Sequence, residues 1–285
     1  MFDTGPSPGV VSGNVMTLTP NRKVGIGTAN PVSPLQVVGS IIGGGPANLV
    51  ASNLIASTIA GGGVPGFPNS IYGESSFIGA GNANTINSNI GNSFIGAGYG
   101  NNQSSTAAFI GAGNFNSIQT NSDFSAVVGG NGNTIQSSAG ISFIGGGQGN
   151  LVGTNAIASV VAGGSGNNVQ SQSYFSFVGG GNNNVIQPNS SHQVIAGGMN
   201  NTIQSLSWAS AIGGGGFNVA QGYGATVPGG LVECGHGKLH FRRRPERQGH
   251  QHRKFRVGRR FRHAFRLHRQ QFFQCPGHRR RGVCH

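Results

Sequence analysis

Few carboxylate and imidazole side chains, the usual groups for acid–base chemistry, occur in the first 230 residues of this 285-residue chain. Asp3, Glu74, Asp123 and His192 are the candidates for proton exchange, and each stands far from the others in the sequence. A catalytic site needs such groups within hydrogen-bond reach of one substrate. We therefore expect no enzymatic activity and no catalytic residues. We expect His192 to be a solvated residue at a corner of the fold.

The many Gly-x-Gly strings do not predict a phosphate-binding loop. No Gly-Lys-Ser/Thr follows them, and they do not stand between a strand and a helix in the Gly-x-Gly-x-x-Gly pattern. Calcium-binding Gly/Asp nonapeptides need far more Asp than the chain contains. We expect no cofactor and no metal ion.

A second group of reactive residues lies in residues 231–285. This stretch holds 16 of the 18 Lys and Arg residues, eight of the nine His and all three Cys. Phe side chains interleave with Arg runs over 242–281, a composition suited to single-stranded nucleic acid through phosphate contacts and base stacking. The residues that could be offered as zinc ligands are Cys234, His236, His240, Cys275, His278, Cys284 and His285. Their spacing matches no C-x2-C…H-x3-H pattern, so no zinc site is expected.

The composition changes abruptly near Gly230. Residues 1–230 carry a net charge of −1, whereas residues 231–285 carry +14. Glu233-Cys234, back-translated and read one base later, gives Asn or Ser followed by Val or Ala, which restores the pattern of the preceding repeat. We expect residues 231–285 to be a disordered, out-of-frame tail. Nucleic-acid binding through this tail is the alternative if the tail is genuine.

An apolar pair followed by small residues, as in Phe77-Ile78-Gly79, recurs along most of the chain. We call the second apolar residue the anchor; eight of its eleven steps are 17 residues long. The anchors are Ile42, Ile59, Ile78, Ile95, Ile110, Val127, Ile144, Val161, Val178, Ile195, Ile212 and Val227. Such a unit is too short for helical repeats, and its Gly cluster is suited to a tight corner. The pattern predicts an all-β fold, a β-solenoid or β-roll of 17-residue coils, over 40–230.

Two further positions keep the same register. Asn stands six residues after most anchors, with Pro65 as the exception, and a β-branched residue stands eight after, with Ala220 and Gln103 as departures. The Asn has two interpretations, a ladder that hydrogen-bonds along the stack or a turn residue that tolerates a left-handed backbone. The Gly and Ser around it favour the turn.

The residue before the anchor is also apolar in most coils, and it is Phe in five of them. Successive residues of a strand point to opposite faces, so this strand is apolar on both sides. An uncovered stripe of this length would exceed the apolar patch of an ordinary soluble monomer. We therefore expect a homo-oligomer around the stripe. The alternative is a flattened coil with both faces inside one chain.

The repeats resemble the β-roll heads of trimeric autotransporter adhesins and related repeats in phage tail fibres, which are rich in Gly, Asn, Ser and Ala and nearly free of charge. Residues 24–31, VGIGTANP, followed by LQVVG at 35–39, are similar to a segment common in bacterial and phage fibre proteins. The sequence thus divides into an N-terminal segment at 1–39, a repeat domain at 40–230 and the tail at 231–285. The resemblance implies a homotrimer and an extracellular, cell-surface or virion location.

We therefore expect a structural and adhesive fibre segment whose partners are its own copies and a host-surface glycan or protein. No apolar run is long enough to span a membrane. A β-solenoid that binds ice or polysaccharide by a flat face is an alternative. It would need a regular Thr array, and Thr85, Thr134 and Thr202 stand at the anchor+7 position in only some coils.

The interpretation of the tail predicts a property of the coding DNA. Read one base later from Leu231, the DNA should stay open and encode a Gly-, Ala- and Asn-rich sequence, because the shifted frame restores the repeat. Sequencing the gene around this codon is the measurement. A stop codon soon after Leu231 in that frame would contradict the interpretation.

Overall fold

The computed structural model describes residues 16–236, and the description that follows concerns this range. Its first part is a small sheet made of Met16–Leu18 (β1), Val24–Ile26 (β2) and Leu35–Val37 (β3). β1 pairs antiparallel with β2, and β2 pairs parallel with β3. The VGIGTANP and LQVVG segments thus supply the two parallel strands of this sheet.

From Ile41 onward the chain forms a parallel β-solenoid of twelve coils, in which each coil adds one strand to each of two 12-stranded sheets. The first sheet holds the anchors and consists of Ile41–Ile42 (β4), Thr58–Ile59 (β6), Phe77–Ile78 (β8), Phe94–Ile95 (β10), Phe109–Ile110 (β12), Ala126–Val127 (β14), Phe143–Ile144 (β16), Val160–Val161 (β18), Phe177–Val178 (β20), Val194–Ile195 (β22), Ala211–Ile212 (β24) and Thr226–Val227 (β26). The second sheet consists of Leu49–Val50 (β5), Ser70–Ile71 (β7), Thr85–Ile86 (β9), Asn102–Gln103 (β11), Ser117–Ile118 (β13), Thr134–Ile135 (β15), Leu151–Val152 (β17), Asn168–Val169 (β19), Val185–Ile186 (β21), Thr202–Ile203 (β23), Val219–Gln221 (β25) and Cys234–His236 (β27). The predicted all-β solenoid of about 17-residue coils is confirmed.

The anchors stack directly above one another. Ile144 pairs with Val161, Val161 with Val178, and Val178 with Ile195, all in parallel register. Neighbouring anchors are therefore one strand spacing, about 4.8 Å, apart. Between residues 16 and 236 the structure contains no helix that could cross a membrane.

The core is a continuous apolar column between the two sheets. Nearly every anchor is fully buried, as are the β-branched residues of the second sheet that face the anchors. Ile144 and Val152 of one coil, for example, both have zero exposure. Each coil contributes a single layer of inward side chains from each sheet. These side chains are therefore buried from water by the coils stacked above and below.

Coils of unusual length keep the register by changing a corner. In the 19-residue step after Ile59, Val64 and Phe67 form a local turn, and Asn69 then takes the position predicted for Pro65. Gln103 is a departure in residue type, since it lies in the apolar column with zero exposure. The departures at Pro65 and Gln103 are thus a corner insertion and a polar residue inside the core.

Glycine at the corner after the anchor is required by close packing. Gly147 has a φ of 93°, and a Cβ there would lie 2.0 Å from the carbonyl oxygen of Gly164 in the next coil. A side chain would therefore force the coils apart as well as strain the backbone. The predicted Gly corner is confirmed.

The last described coil extends beyond the predicted boundary at residue 230. Glu233 occupies the position of the recurring Asn, and its backbone N–H donates to Oδ1 of Asn218 at 2.8 Å. β27 then pairs with β25, with Cys234 opposite Val219. The remainder of the predicted tail, 237–285, lies outside the described residues.

Replacing Ile144 by Ala should lower the free energy of unfolding by about 2–5 kcal/mol, because it leaves a cavity in a close-packed column. The matched control is Ile141→Ala, three residues away in the same coil, where the side chain is 65% exposed. That change should shift stability by less than about 0.5 kcal/mol. Chemical denaturation of the full chain measures both, and equal effects of the two substitutions would contradict the described core.

Candidate functional site

The candidate acid–base residues do not form a site. Glu74 and Asp123 lie at the same corner three coils apart, and His192 lies four coils beyond Asp123. At about 4.8 Å per coil, these separations are on the order of 15 Å or more. Asp123 has a structural role, since Oδ1 accepts the backbone N–H of Thr106 at 2.9 Å. Asp3 lies outside the described residues.

Metal ligands are equally dispersed. Within residues 16–236, no three His, Cys, Asp or Glu side chains come together in a way that could hold a metal ion. Of the seven residues considered as zinc ligands, only Cys234 and His236 fall in this range, and they belong to the edge strand β27. The other five lie outside it.

The repeated Asn forms a ladder that runs the length of the solenoid inside the Gly corner. Its members are Asn48, Asn69, Asn84, Asn101, Asn116, Asn133, Asn150, Asn167, Asn184, Asn201 and Asn218, all buried. Asn150 shows the pattern: Nδ2 donates to the carbonyls of Gly146 in its own coil and Gly164 in the next, each at 2.9 Å. Its Oδ1 accepts the backbone N–H of Asn167 at 3.0 Å.

Each ladder side chain uses its two N–H donors and one oxygen to satisfy backbone groups at a corner where the sheet hydrogen bonds are interrupted. Buried backbone groups without a partner each cost about 1–3 kcal/mol, so the ladder is a condition for the tight corner. Asp lacks the two donors and Ser lacks the reach, which explains why the position recurs as Asn. The ladder therefore sets the register of every coil on its neighbours.

The favoured interpretation of this Asn as a left-handed turn residue is wrong. Positive φ occurs at the preceding position, as at Phe115, Gly149 and Asn183, where φ is 54°, 62° and 52°. That exposed position varies freely in residue type, whereas the next one is almost invariably Asn. This contrast within the repeat was the signal that distinguishes a buried ladder from a turn.

A second polar ladder, which the sequence analysis missed, lies two residues before the anchor at the opposite corner. The Oγ of Ser142 accepts the backbone N–H of Ser159 at 3.2 Å and donates to the carbonyl of Ala156 at 3.2 Å. Ser125 serves Ser142 in the same way. Two polar ladders thus close the apolar column at both ends of the coil, and among the described residues only Gln103 Oε1 and Asn168 Oδ1 are buried without a partner.

The outward face of the first sheet is apolar and exposed. Phe109, Phe143 and Phe177, each just before an anchor, retain 40%, 38% and 39% of their surface. The alternative in which both faces of this strand lie inside one chain is wrong, because a 17-residue coil encloses a single layer. We call this face the Phe stripe: it comprises the residues that precede the anchors, from Phe77 to Ala211.

The Phe stripe is level because its rings lie over glycine. A Cβ on Gly145 would be 3.3 Å from Cε1 of Phe143, and the same holds for every Phe of the stripe. The pairs are Phe77 and Gly79, Phe94 and Gly96, Phe109 and Gly111, Phe143 and Gly145, and Phe177 and Gly179. Where the first residue is smaller, the second is larger in three of the four remaining coils; these pairs are Ala126 and Val128, Val160 and Ala162, and Val194 and Ala196, with Ala211 and Gly213 as the exception. The volumes compensate, and neighbouring rings stack, as do Phe94 and Phe109 at 5.1 Å.

The outward face of the second sheet is different in character. Thr85, Thr134 and Thr202 lie on it as predicted, half-buried in the strands. Between them stand both polar and apolar residues, so the Thr array is irregular; the intervening residues are Asn102, Ser117, Leu151, Asn168 and Val185. The solenoid therefore has one aromatic and one mainly polar face.

The predicted corner position of His192 is confirmed, and the structure adds neighbours that the sequence did not suggest. His192 is exposed with a φ of 60°. Its ring lies 5.1 Å from that of Phe175 and 5.5 Å from that of Trp208. Phe175 and His192 are 17 residues apart and superimpose in successive coils, whereas Trp208 is in register with Ser191 and reaches His192 from the next coil.

Replacing Asn150 by Ala should lower the free energy of unfolding by at least about 2 kcal/mol, because it orphans the N–H of Asn167 and the carbonyl of Gly146 and removes one of the two hydrogen bonds to the carbonyl of Gly164. Asn131→Ala, at an exposed Asn of the neighbouring coil, is the control and should change stability by less than about 0.5 kcal/mol. Denaturant melts followed by circular dichroism provide the comparison. If Asn150→Ala lowered the free energy of unfolding no more than Asn131→Ala, the structural role of the ladder would be refuted.

Comparison of the chain with protein-family models, with curated proteins and with solved structures finds no match. The resemblance to adhesin heads and tail fibres rests on residues 24–31 and 35–39 and on the repeat. The surfaces of the solenoid are therefore the features that bear on its function.

Proposed function

We propose that the protein is a structural and adhesive segment of an extracellular fibre, of the adhesin-head or phage-tail-fibre kind, without catalytic activity. The observation that carries the proposal is the kind of residue that points into the coils. Apolar residues and two hydrogen-bonded ladders fill the inward positions, and the acid–base residues of the described range are scattered over the outside. The outward-facing residues recur from coil to coil, so the same surface is presented many times along the molecule. A repeated surface can bind a partner through many weak contacts at once.

The Phe stripe is proposed as the surface on which copies of the chain assemble into a homotrimer. The nine coils from Phe77 to Ala211, at about 4.8 Å each, give the stripe a length of about 43 Å. Its two outward columns, one on each side of the anchors and about 7 Å apart, give it an area on the order of 600 Å², the lower end of what each partner contributes to a standard interface. The level surface produced by setting Phe over Gly is suited to packing against a second sheet.

The alternatives have less support in the described residues. Nucleic-acid binding depends on residues 242–281, which lie outside the described range. Ice or polysaccharide binding by a Thr array on the second sheet is disfavoured because Leu151 and Val185 interrupt the column. Neither alternative explains the exposed Phe stripe.

Analytical ultracentrifugation tests the assembly. The full chain should sediment as a trimer, and Phe143→Glu should shift it to monomer because a charge would be buried in the apolar interface. The control is Thr134→Glu, at an outward position of the second sheet, which should leave the trimer intact. A wild-type chain that remains monomeric at all concentrations, or identical behaviour of the two variants, would overturn the proposal.

A further inference from the structure

An aromatic cluster lies at the corner where the chain passes from the second sheet back to the first. It consists of Tyr174, Phe175, His192, Trp208 and Tyr223, and we call it the aromatic corner. Backbone bridges from Tyr174 to Ser191 and from Ser191 to Trp208 align these coils in parallel register. The cluster spans four consecutive coils along the stack.

The rings of the aromatic corner face solvent. Phe175, Trp208 and Tyr223 expose 58%, 49% and 57% of their surfaces. Phe175, His192 and Trp208 form a continuous row, with successive ring centroids 5.1 and 5.5 Å apart. The row therefore presents aromatic rings to solvent, with successive rings separated by about one coil spacing.

The backbone holds two of these rings in an unfavourable conformation. Phe175 and His192 have φ values of 52° and 60°, in the left-handed region that disfavours bulky side chains by about 1–2 kcal/mol. The same position in other coils carries Ala, as at Ala107, and also exposed bulky residues, Phe124 and Ile141. The feature that distinguishes the aromatic corner is the stacking of Phe175 on His192, and a solvent-facing row of stacked rings points to a contact with another molecule.

The surroundings of the aromatic corner define the chemistry of that molecule. Exposed side-chain amides of Gln172 and Asn189 stand on the adjoining turn, one coil apart. No Asp, Glu, Lys or Arg occurs from residue 124 to residue 232, so within these residues the corner has no carboxylate, ammonium or guanidinium group with which to pair a charged ligand. Ring faces for stacking, with amides beside them for hydrogen bonding, are suited to a ligand with apolar ring faces and many hydroxyl groups.

We propose that the aromatic corner binds an extended, uncharged polysaccharide whose sugar rings lie along the stack axis. One pyranose ring of an extended chain is close in length to one coil spacing, so successive sugars meet successive aromatic rings. The amides of Gln172 and Asn189 then bond to sugar hydroxyls. The inference rests on the adhesive part of the proposed function and supplies its ligand class, and it does not require the Phe stripe to be covered.

Trp208 is the only Trp of the chain, so intrinsic fluorescence reports on this corner directly. The full-length protein would be titrated with cellohexaose, with chitohexaose and with a heparin oligosaccharide of similar length. We expect a saturable change with at least one of the two uncharged sugars, unaltered between low and high salt. Absence of a saturable change with both, or a response to heparin alone, would overturn the proposal.

Matched variants locate the binding. Phe175→Ala should weaken the affinity at least about tenfold, which corresponds to the loss of one stacked ring. Phe115→Ala, at an equally exposed aromatic residue of the Gly corner, should leave the affinity unchanged. An unchanged affinity in the first variant, or an equal loss in both, would refute the assignment. Sedimentation of Phe175→Ala separates the two proposals, because assembly through the Phe stripe should survive this change.

Discussion

The hydrogen bonds of buried Asn side chains across successive coils are the interaction on which the solenoid depends. A tight corner of small residues leaves backbone N–H and carbonyl groups inside the protein, where water does not reach them. The side-chain amide of Asn150 bonds to its own coil and to the next, and the backbone N–H of Asn150 donates to Oδ1 of Asn133 in the coil before. Ser142 does similar work at the other corner. The apolar column that contains Ile144 lies between these two ladders, which cover it at both corners of the coil.

This arrangement separates the inside of the protein from its outside. Inward positions are held by Ile, Val, Asn, Ser and Ala, with Gln103 and Gln193 as exceptions, while outward positions are available for recognition. The Phe stripe and the aromatic corner are both outward, but they differ in chemistry. The Phe stripe is level, apolar and continuous over the first sheet, which suits another copy of the chain. The aromatic corner is confined to four coils, carries polar ring atoms and has amides beside it, which suits a hydroxyl-rich ligand.

The fold was predictable because a period of 17 residues survives in the anchors, so coil stacking and the burial of Ile144 or Val161 follow from sequence alone. The Asn ladder was visible as a recurrence but was assigned to a turn, since Asn serves both purposes and only its burial distinguishes them. The Ser ladder was missed because Ser is also abundant at exposed positions. The contact of His192 with Phe175 and Trp208 depends on the stacking of three coils. The spacing of the repeat is compatible with this contact, but it is equally compatible with many other contacts between coils.

Hydrogen exchange of side-chain amides, followed by NMR, tests the central role of the ladder most directly. The Nδ2 protons of Asn133, Asn150, Asn167 and Asn184 should exchange as slowly as backbone amides of the core strands, because they are buried and bonded to carbonyls. Those of exposed Asn131 and Asn183 should exchange at the rate of a short peptide. Rapid exchange of all Asn side chains alike would contradict a solenoid held in register by buried amides.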